Sequence, residues 1–163
     1  MNLDQVNALD TAAFVARFGA LFEHSPWVVE RAAALRPFAD LQTGLMAALH
    51  AASADEQLAL ICAHPELAGK AAIDQTLTAA SSAEQASAGL DRLTPDEFAR
   101  FHALNAAYRA RFDFPFIICV RLTDKAGILA AMERRLAHTR DAEVATAIAQ
   151  IGEIVRLRLG DMA

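Results

Sequence analysis

Apolar residues along this chain recur mostly at intervals of three and four, the period of helices that bury one face. Asp10 stands where a side chain can cap a first helix, whose apolar face is Phe14, Phe18, Leu21 and Phe22, ending near His24. Ser25-Pro26 puts a cap before a proline at the first helical position and opens a second helix to about Leu35, where Arg36-Pro37 stops it. Asp40 opens a third helix toward Ala52. A fourth runs from about Ala54 to Ala63, because Pro65 biases the residue before it out of helical geometry. The spacing therefore predicts that His64 ends a helix.

From Ala68 to about Ala80 the pattern is weak and predicts loop or short helical turns. Ser81-Ser82-Ala83-Glu84 then has the form of a capping box, and Thr94-Pro95-Asp96-Glu97 is a cleaner one that opens a long helix. Along that helix Phe98, Phe101, Asn105, Tyr108 and Phe112 share a face, aromatic with an asparagine in its middle. The run from Phe114 to Val120 is dense in aromatic and β-branched residues and reads as buried extended chain, while Pro115 and the lack of a partner strand argue against a sheet. Two further helices are predicted, from about Asp124 to Thr139 and from about Asp141 to Leu159, with Gly160 as a C-terminal stop. The expected fold is all-α, a compact single-domain bundle of about seven to nine helices over residues 1–163, with one buried extended segment near 114–121.

Composition agrees with one helical domain: 38 of the 163 residues are alanine, so much of the 55% hydrophobic content lies in the strongest helix former rather than in bulky side chains. The net charge of −5, without a basic cluster, gives no footprint for nucleic acid. The uncharged run from Leu41 to Ala54 is too short and too polar for a membrane span, and no secretory or transit signal opens the chain. Cys62 and Cys119 sit alone in apolar runs and read as small buried hydrophobes of a reduced, cytoplasmic protein.

Four positions do not fit a plain helical core. His64 either favours the negative end of a helix dipole or is a positioned acid or base, stiffened by the proline after it. The other four histidines share no ligand spacing with it, so no metal is expected. On a helical wheel Val144, Ile148, Ile151 and Val155 form an arc whose next position is Arg158. That arginine either reaches solvent along its stem or clamps a carboxylate. Asn105 is expected to be satisfied by the backbone of a neighbouring loop. Glu84 has a capping role open to it, yet Ser81 to Gln85 also gathers hydroxyl, carboxylate and amide groups where a polar ligand can bind.

Eight motifs in order give the chain a resemblance to a known family, the 2-oxo-4-hydroxy-4-carboxy-5-ureidoimidazoline (OHCU) decarboxylases of urate breakdown. They are Phe22-Glu23-His24-Ser25-Pro26-Trp27, Arg36-Pro37-Phe38, His64-Pro65-Glu66-Leu67-Ala68, Ser81 with Glu84-Gln85, Gly89-Leu90, Asn105-Ala106-Ala107-Tyr108, Arg111 to Ile117, and Arg156-Leu157-Arg158-Leu159. The resemblance implies an all-helical, cofactor-free enzyme that decarboxylates a small ureidoimidazoline carboxylate to (S)-allantoin. It implies that His64 handles the proton with Glu84 beside it in catalysis. It also implies that Pro65, the stretch Ser81, Ser82, Ala83, Glu84 and Gln85, the segment Phe116, Ile117, Ile118, Cys119 and Val120, and Arg158 bind substrate. Asp113 departs from the family, standing where glycine is common, and the C-terminal residues are not a peroxisomal address, which fits a cytoplasmic form. The competing readings are a non-catalytic helical ligand-binding or adaptor protein and an isomerase or hydrolase of a related ureido ring compound. Exposed apolar surface on a short helix is compatible with a homodimer, although no stripe demands one.

Overall fold

The computed structural model describes residues 1–69 and 77–163, and among these the regular secondary structure is entirely helical. Nine α-helices are found there: α1 (Leu3–Ala8), α2 (Thr11–Phe18), α3 (Trp27–Ala33), α4 (Leu41–His50), α5 (Ala54–Ala63), α6 (Ala79–Ser87), α7 (Pro95–Phe112), α8 (Lys125–Arg135) and α9 (Arg140–Asp161). The all-α expectation holds. Most of the predicted loop from Ala68 to Ala80 lies outside the described residues.

Several helices start where the sequence places a cap. Asp10 accepts from the Ala13 N–H, Asp40 from Thr43 and Asp124 from Gly127. Thr94 and Glu97 form the reciprocal box that opens α7. Other boundaries differ from the periodicity. α1 was not anticipated, and a box between Asn2 and Gln5 opens it. α2 ends at Phe18 and passes into a short 3-10 turn, Gly19–Leu21, instead of continuing to His24. α8 stops at Arg135, short of Thr139. α9 runs through Gly160 to Asp161, so this glycine is no stop; its intrahelical bonds continue and glycine tolerates helical geometry at an entropic cost.

The chain forms two compact units. The first comprises residues 1–63 and 152–163. Its core holds Phe14 against Phe18 and Phe38, with ring centroids 5.0 and 6.0 Å apart. α3 packs on both α2 and α4. Gly44 makes room for the Phe38 ring, which an added Cβ would approach to 2.3 Å. Cys62 is exposed rather than buried: α5 turns Leu60 and Ile61 inward, and the next residue lies about 100° further round the helix.

The second unit is residues 64–151. Its aromatic core is centred on Tyr108, whose ring lies 4.6 Å from Phe112, 5.9 Å from Phe114 and, edge-on, 5.2 Å from Phe116. Phe98, expected on the same buried face, is partly exposed and stacks on His102. α7 ends at Asp113, which takes the left-handed conformation with φ +63°. That geometry explains why glycine suits this position, and aspartate is among the residues that tolerate it. The chain then runs extended from Pro115 to Cys119, buried from Phe114 to Val120 with only Ile118 half-exposed, and has no strand partner among the described residues. Arg121 is exposed, and Val120–Leu122 is a 3-10 turn, so the buried segment is slightly shorter than expected.

Candidate active site

α5 begins with a box in which Ser53 N–H donates to Glu56 Oε1 (3.0 Å) and Glu56 N–H donates to Ser53 Oγ (3.2 Å). It ends at Ala63, and Pro65 keeps the next residue from extending it. His64 therefore leaves the helix as the sequence predicts, and its side chain is only 9% exposed.

The turn after His64 is held from two helices. Asn105 Nδ2 donates to the Leu67 carbonyl at 2.8 Å, and the Ala68 N–H donates to Gln85 Oε1 at 3.1 Å. Arg109, one turn beyond Asn105 on α7, donates from Nε to Glu66 Oε1 at 2.6 Å. Ala68 takes a left-handed φ of +52°. Asn105 thus meets the backbone of a neighbouring loop, as expected, while its Oδ1 is buried with no hydrogen-bond partner among the described residues.

The capping box expected at Ser81 does not form. Thr78 is the N-cap of α6 and accepts from the Ser81 N–H at 3.2 Å, so the helix starts three residues earlier and Glu84 lies in its second turn. The sequence offered two hydroxyls three residues apart, and the earlier one wins the cap. Ser81 and Gln85 occupy one buried face of α6; Glu84 beside them is half-exposed, and Ser82 and Ala83 are exposed off that face. α6 also packs against the turn Val120–Leu122, which directly follows the extended segment. Through Gln85 and this packing, three parts expected in the site meet around α6: the His64 turn, the Ser81–Gln85 stretch and the end of the 116–120 segment.

That segment is fastened by groups the sequence reading missed. Arg135, buried on α8, donates from Nη1 to the Ile117 carbonyl at 2.7 Å, and its guanidinium lies 4.2 Å from the centroid of the Phe116 ring. Gln150 Oε1 accepts from the Cys119 N–H at 2.9 Å. Arg135 is neutralised by Glu143, whose side chain is fully buried: Arg135 Nε donates to its Oε1 at 2.8 Å and the Tyr108 hydroxyl to the same oxygen at 2.5 Å. His138 Nδ1 lies 2.9 Å from the other oxygen. Burial, together with the neighbouring carboxylate, pushes the Tyr108 phenol well above its usual pKa. Glu143, Ala147, Ile151 and Val155 recur every four residues on α9. Counting Ala147 as a core marker would have exposed the buried glutamate, but alanine carries too little apolar area to stand out.

Arg158 points inward, as the wheel indicates, and does not run to solvent. In the first unit it donates from Nη1 to the Leu21 carbonyl at 3.2 Å and from Nη2 to Glu23 Oε2 at 3.1 Å. The carboxylate that it meets belongs to the protein itself. Glu23, quoted within a motif but given no role from sequence, is almost fully buried, and the Ser25 hydroxyl donates to its backbone carbonyl at 2.9 Å. Among the described residues no cluster of three or more His, Cys, Asp or Glu side chains is arranged to hold a metal, and no helix is long and apolar enough to cross a membrane.

A family model described as OHCU decarboxylase matches residues 7–160. The chain is similar to the 2-oxo-4-hydroxy-4-carboxy-5-ureidoimidazoline decarboxylase of Haloferax volcanii, 43% identical over 99% of this chain and 95% of that protein. Among solved structures it resembles (S)-allantoin synthase, with a TM-score of 0.74 and 29% identity, covering 99% of this chain and 54% of that one. An OHCU decarboxylase crystallised in the presence of (S)-allantoin shares the fold, with a TM-score of 0.62 at 18% identity over 83% of this chain and 89% of that one.

Proposed function

The chain belongs to the OHCU decarboxylase family, and on that premise we propose that it converts 2-oxo-4-hydroxy-4-carboxy-5-ureidoimidazoline to (S)-allantoin, with His64 as the residue that handles the proton. The observation that carries this reading is the His64 turn itself: a buried imidazole outside any helix, on a loop fixed by side chains of α6 and α7. A histidine so held can deliver a proton to one face of a bound carbon near neutral pH.

In the reaction the bond from C4 to the carboxylate breaks and CO₂ leaves. Its electron pair forms a C4=C5 double bond as the C5=N pair moves onto nitrogen. That nitrogen takes one proton and C5 another, while C4 becomes a carbonyl as its hydroxyl proton departs, so one proton is consumed overall. The face on which C5 is protonated sets the enantiomer. His64 and Glu84 are the proposed catalytic pair, Glu84 holding the substrate hydroxyl or ureido N–H groups. Pro65, Ser81, Ser82, Ala83 and Gln85 are proposed to line the substrate. The largely apolar segment Phe116, Ile117, Ile118, Cys119 and Val120 would favour loss of neutral CO₂ from a charged carboxylate. On the family resemblance Arg158 is proposed for substrate polar groups, with Glu23 and Leu21 fixing its guanidinium. The partner in this reading is a small-molecule substrate, and no second subunit is assigned to the chemistry.

The substrate is short-lived, so the test generates it in place from urate with a urate oxidase and a hydroxyisourate hydrolase, then adds this protein and follows optical rotation. Rapid growth of the rotation of a single enantiomer supports the proposal. Racemic allantoin forming at the uncatalysed rate overturns it.

A further inference from the structure

We propose that Asn105 is a positioning residue of this site: together with Gln85 it fixes the orientation of the Leu67–Ala68 peptide plane, and through it the turn that carries His64. The inference rests on the decarboxylase reading for its consequence and on geometry for its substance. The Leu67 carbonyl and the Ala68 N–H are the two ends of one peptide unit. Asn105 grips the first with a donor from α7, and Gln85 grips the second with an acceptor from α6. If the plane turned over, the N–H would face the Asn105 amide nitrogen and the carbonyl would face Gln85 Oε1, a donor against a donor and an acceptor against an acceptor. With both side-chain amides held as they stand, the pair bonds one orientation only, and the turned-over plane would require both amides to rotate as well.

The backbone gives that selection something to oppose. Ala68 sits at φ +52°, a conformation that penalises any residue with a Cβ. Turning the peptide plane over changes φ of Ala68 by about half a revolution, into the negative range that alanine prefers. Without the two side chains the relaxed turn is thus a different one, and the turn that carries His64, four residues before Ala68, loses its two peptide tethers to α6 and α7. The exposed Arg109 to Glu66 pair touches a side chain rather than this peptide and does not select its orientation. Asn105 also leaves its Oδ1 buried and unpartnered among the described residues, a cost that a leucine would avoid. Its single bond to Leu67 is what the asparagine supplies.

The test compares N105L, R109Q and the double variant N105L/A68G in the coupled assay. N105L is expected to lower kcat about a hundredfold, as for a reacting group displaced by roughly 1 Å, with KM held near wild type. R109Q should keep wild-type turnover. Because glycine removes the preference for the turned-over plane, A68G should restore part of the kcat that N105L loses, which a general loss of stability would not allow. Wild-type kcat in N105L, or a loss that A68G leaves untouched, overturns the proposal. Amide hydrogen exchange of Ala68 in the unmodified protein, read without substrate, provides a second arm if N105L does not fold. Strong protection is expected, and exchange at the rate of an open turn overturns the lock whether or not the protein is a decarboxylase.

Discussion

Arg158 and Glu23 are 135 positions apart in sequence, yet the guanidinium Nη2 lies 3.1 Å from Glu23 Oε2, with both side chains buried. The Leu21 carbonyl takes a second donor of the same guanidinium. Each charge is removed from water and depends on the other. The carboxylate that Arg158 clamps is the protein's own, so Arg158→Met tests a structural pair. The variant should lose stability, up to the roughly 3–5 kcal/mol of a broken buried pair, because Glu23 keeps its buried charge beside His24, 3.8 Å from its Oε1, but loses the guanidinium on its Oε2. Replacing both residues with apolar ones of similar volume should cost far less. Urea unfolding of the single and double variants checks this, and a wild-type midpoint for the single variant would contradict it.

Tyr108 is the only tyrosine in the chain, so tyrosinate absorbance reports on it alone. Burial first, and then its hydrogen bond to Glu143, raise its pKa. A raised phenol contributes stability that is complete below the ordinary value of about 10 and is lost as pH rises through the folded value. The folded protein should therefore show no half-ionised tyrosine near pH 10, and absorbance should grow only with alkaline unfolding. Half-ionisation near pH 10 with the fold intact would contradict the buried network.

Glu56 caps α5, the helix that ends just before His64, and its pKa is lowered from 4.5 to about 2 by its hydrogen bonds to Arg31 and to the Ser53 N–H. A depressed carboxyl contributes stability present above its unfolded value and lost as pH falls through its folded value. Glu56→Gln should lower stability modestly at neutral pH and flatten the acid limb between about 4.5 and 2. Equal acid limbs for variant and parent, measured by circular dichroism against denaturant, would contradict the cap's part in α5.

Where a fold signal is local, the sequence carried it. Asp10, Asp40, Thr94 and Asp124 open helices because a side-chain oxygen meets an N–H three residues on, and Pro65 ends the helix before His64 for an equally local reason. Asn105 was placed correctly because a polar side chain inside an aromatic face must find a partner. The partners themselves were not legible: Leu67, 38 positions away, and Glu23, 135 positions from Arg158, are chosen by packing between elements. Thr78 is the cap in place of Ser81 because either hydroxyl can accept from an N–H three residues on, and the better box pattern at Ser81 does not decide between them. Arg135 on α8 and Glu143 on α9 are not legible because each shares its buried face with a small alanine, Ala131 and Ala147, that does not announce burial.

The proposed role of His64 is to handle the proton that sets the product's configuration. His64→Asn removes the titratable ring from a turn whose other bonds, from Asn105 and Gln85, remain in place. With substrate generated from urate in the cuvette, the variant should retain its helical circular dichroism and yield racemic allantoin at the uncatalysed rate. Formation of (S)-allantoin by the folded variant at the wild-type rate and enantiomeric purity would contradict the account.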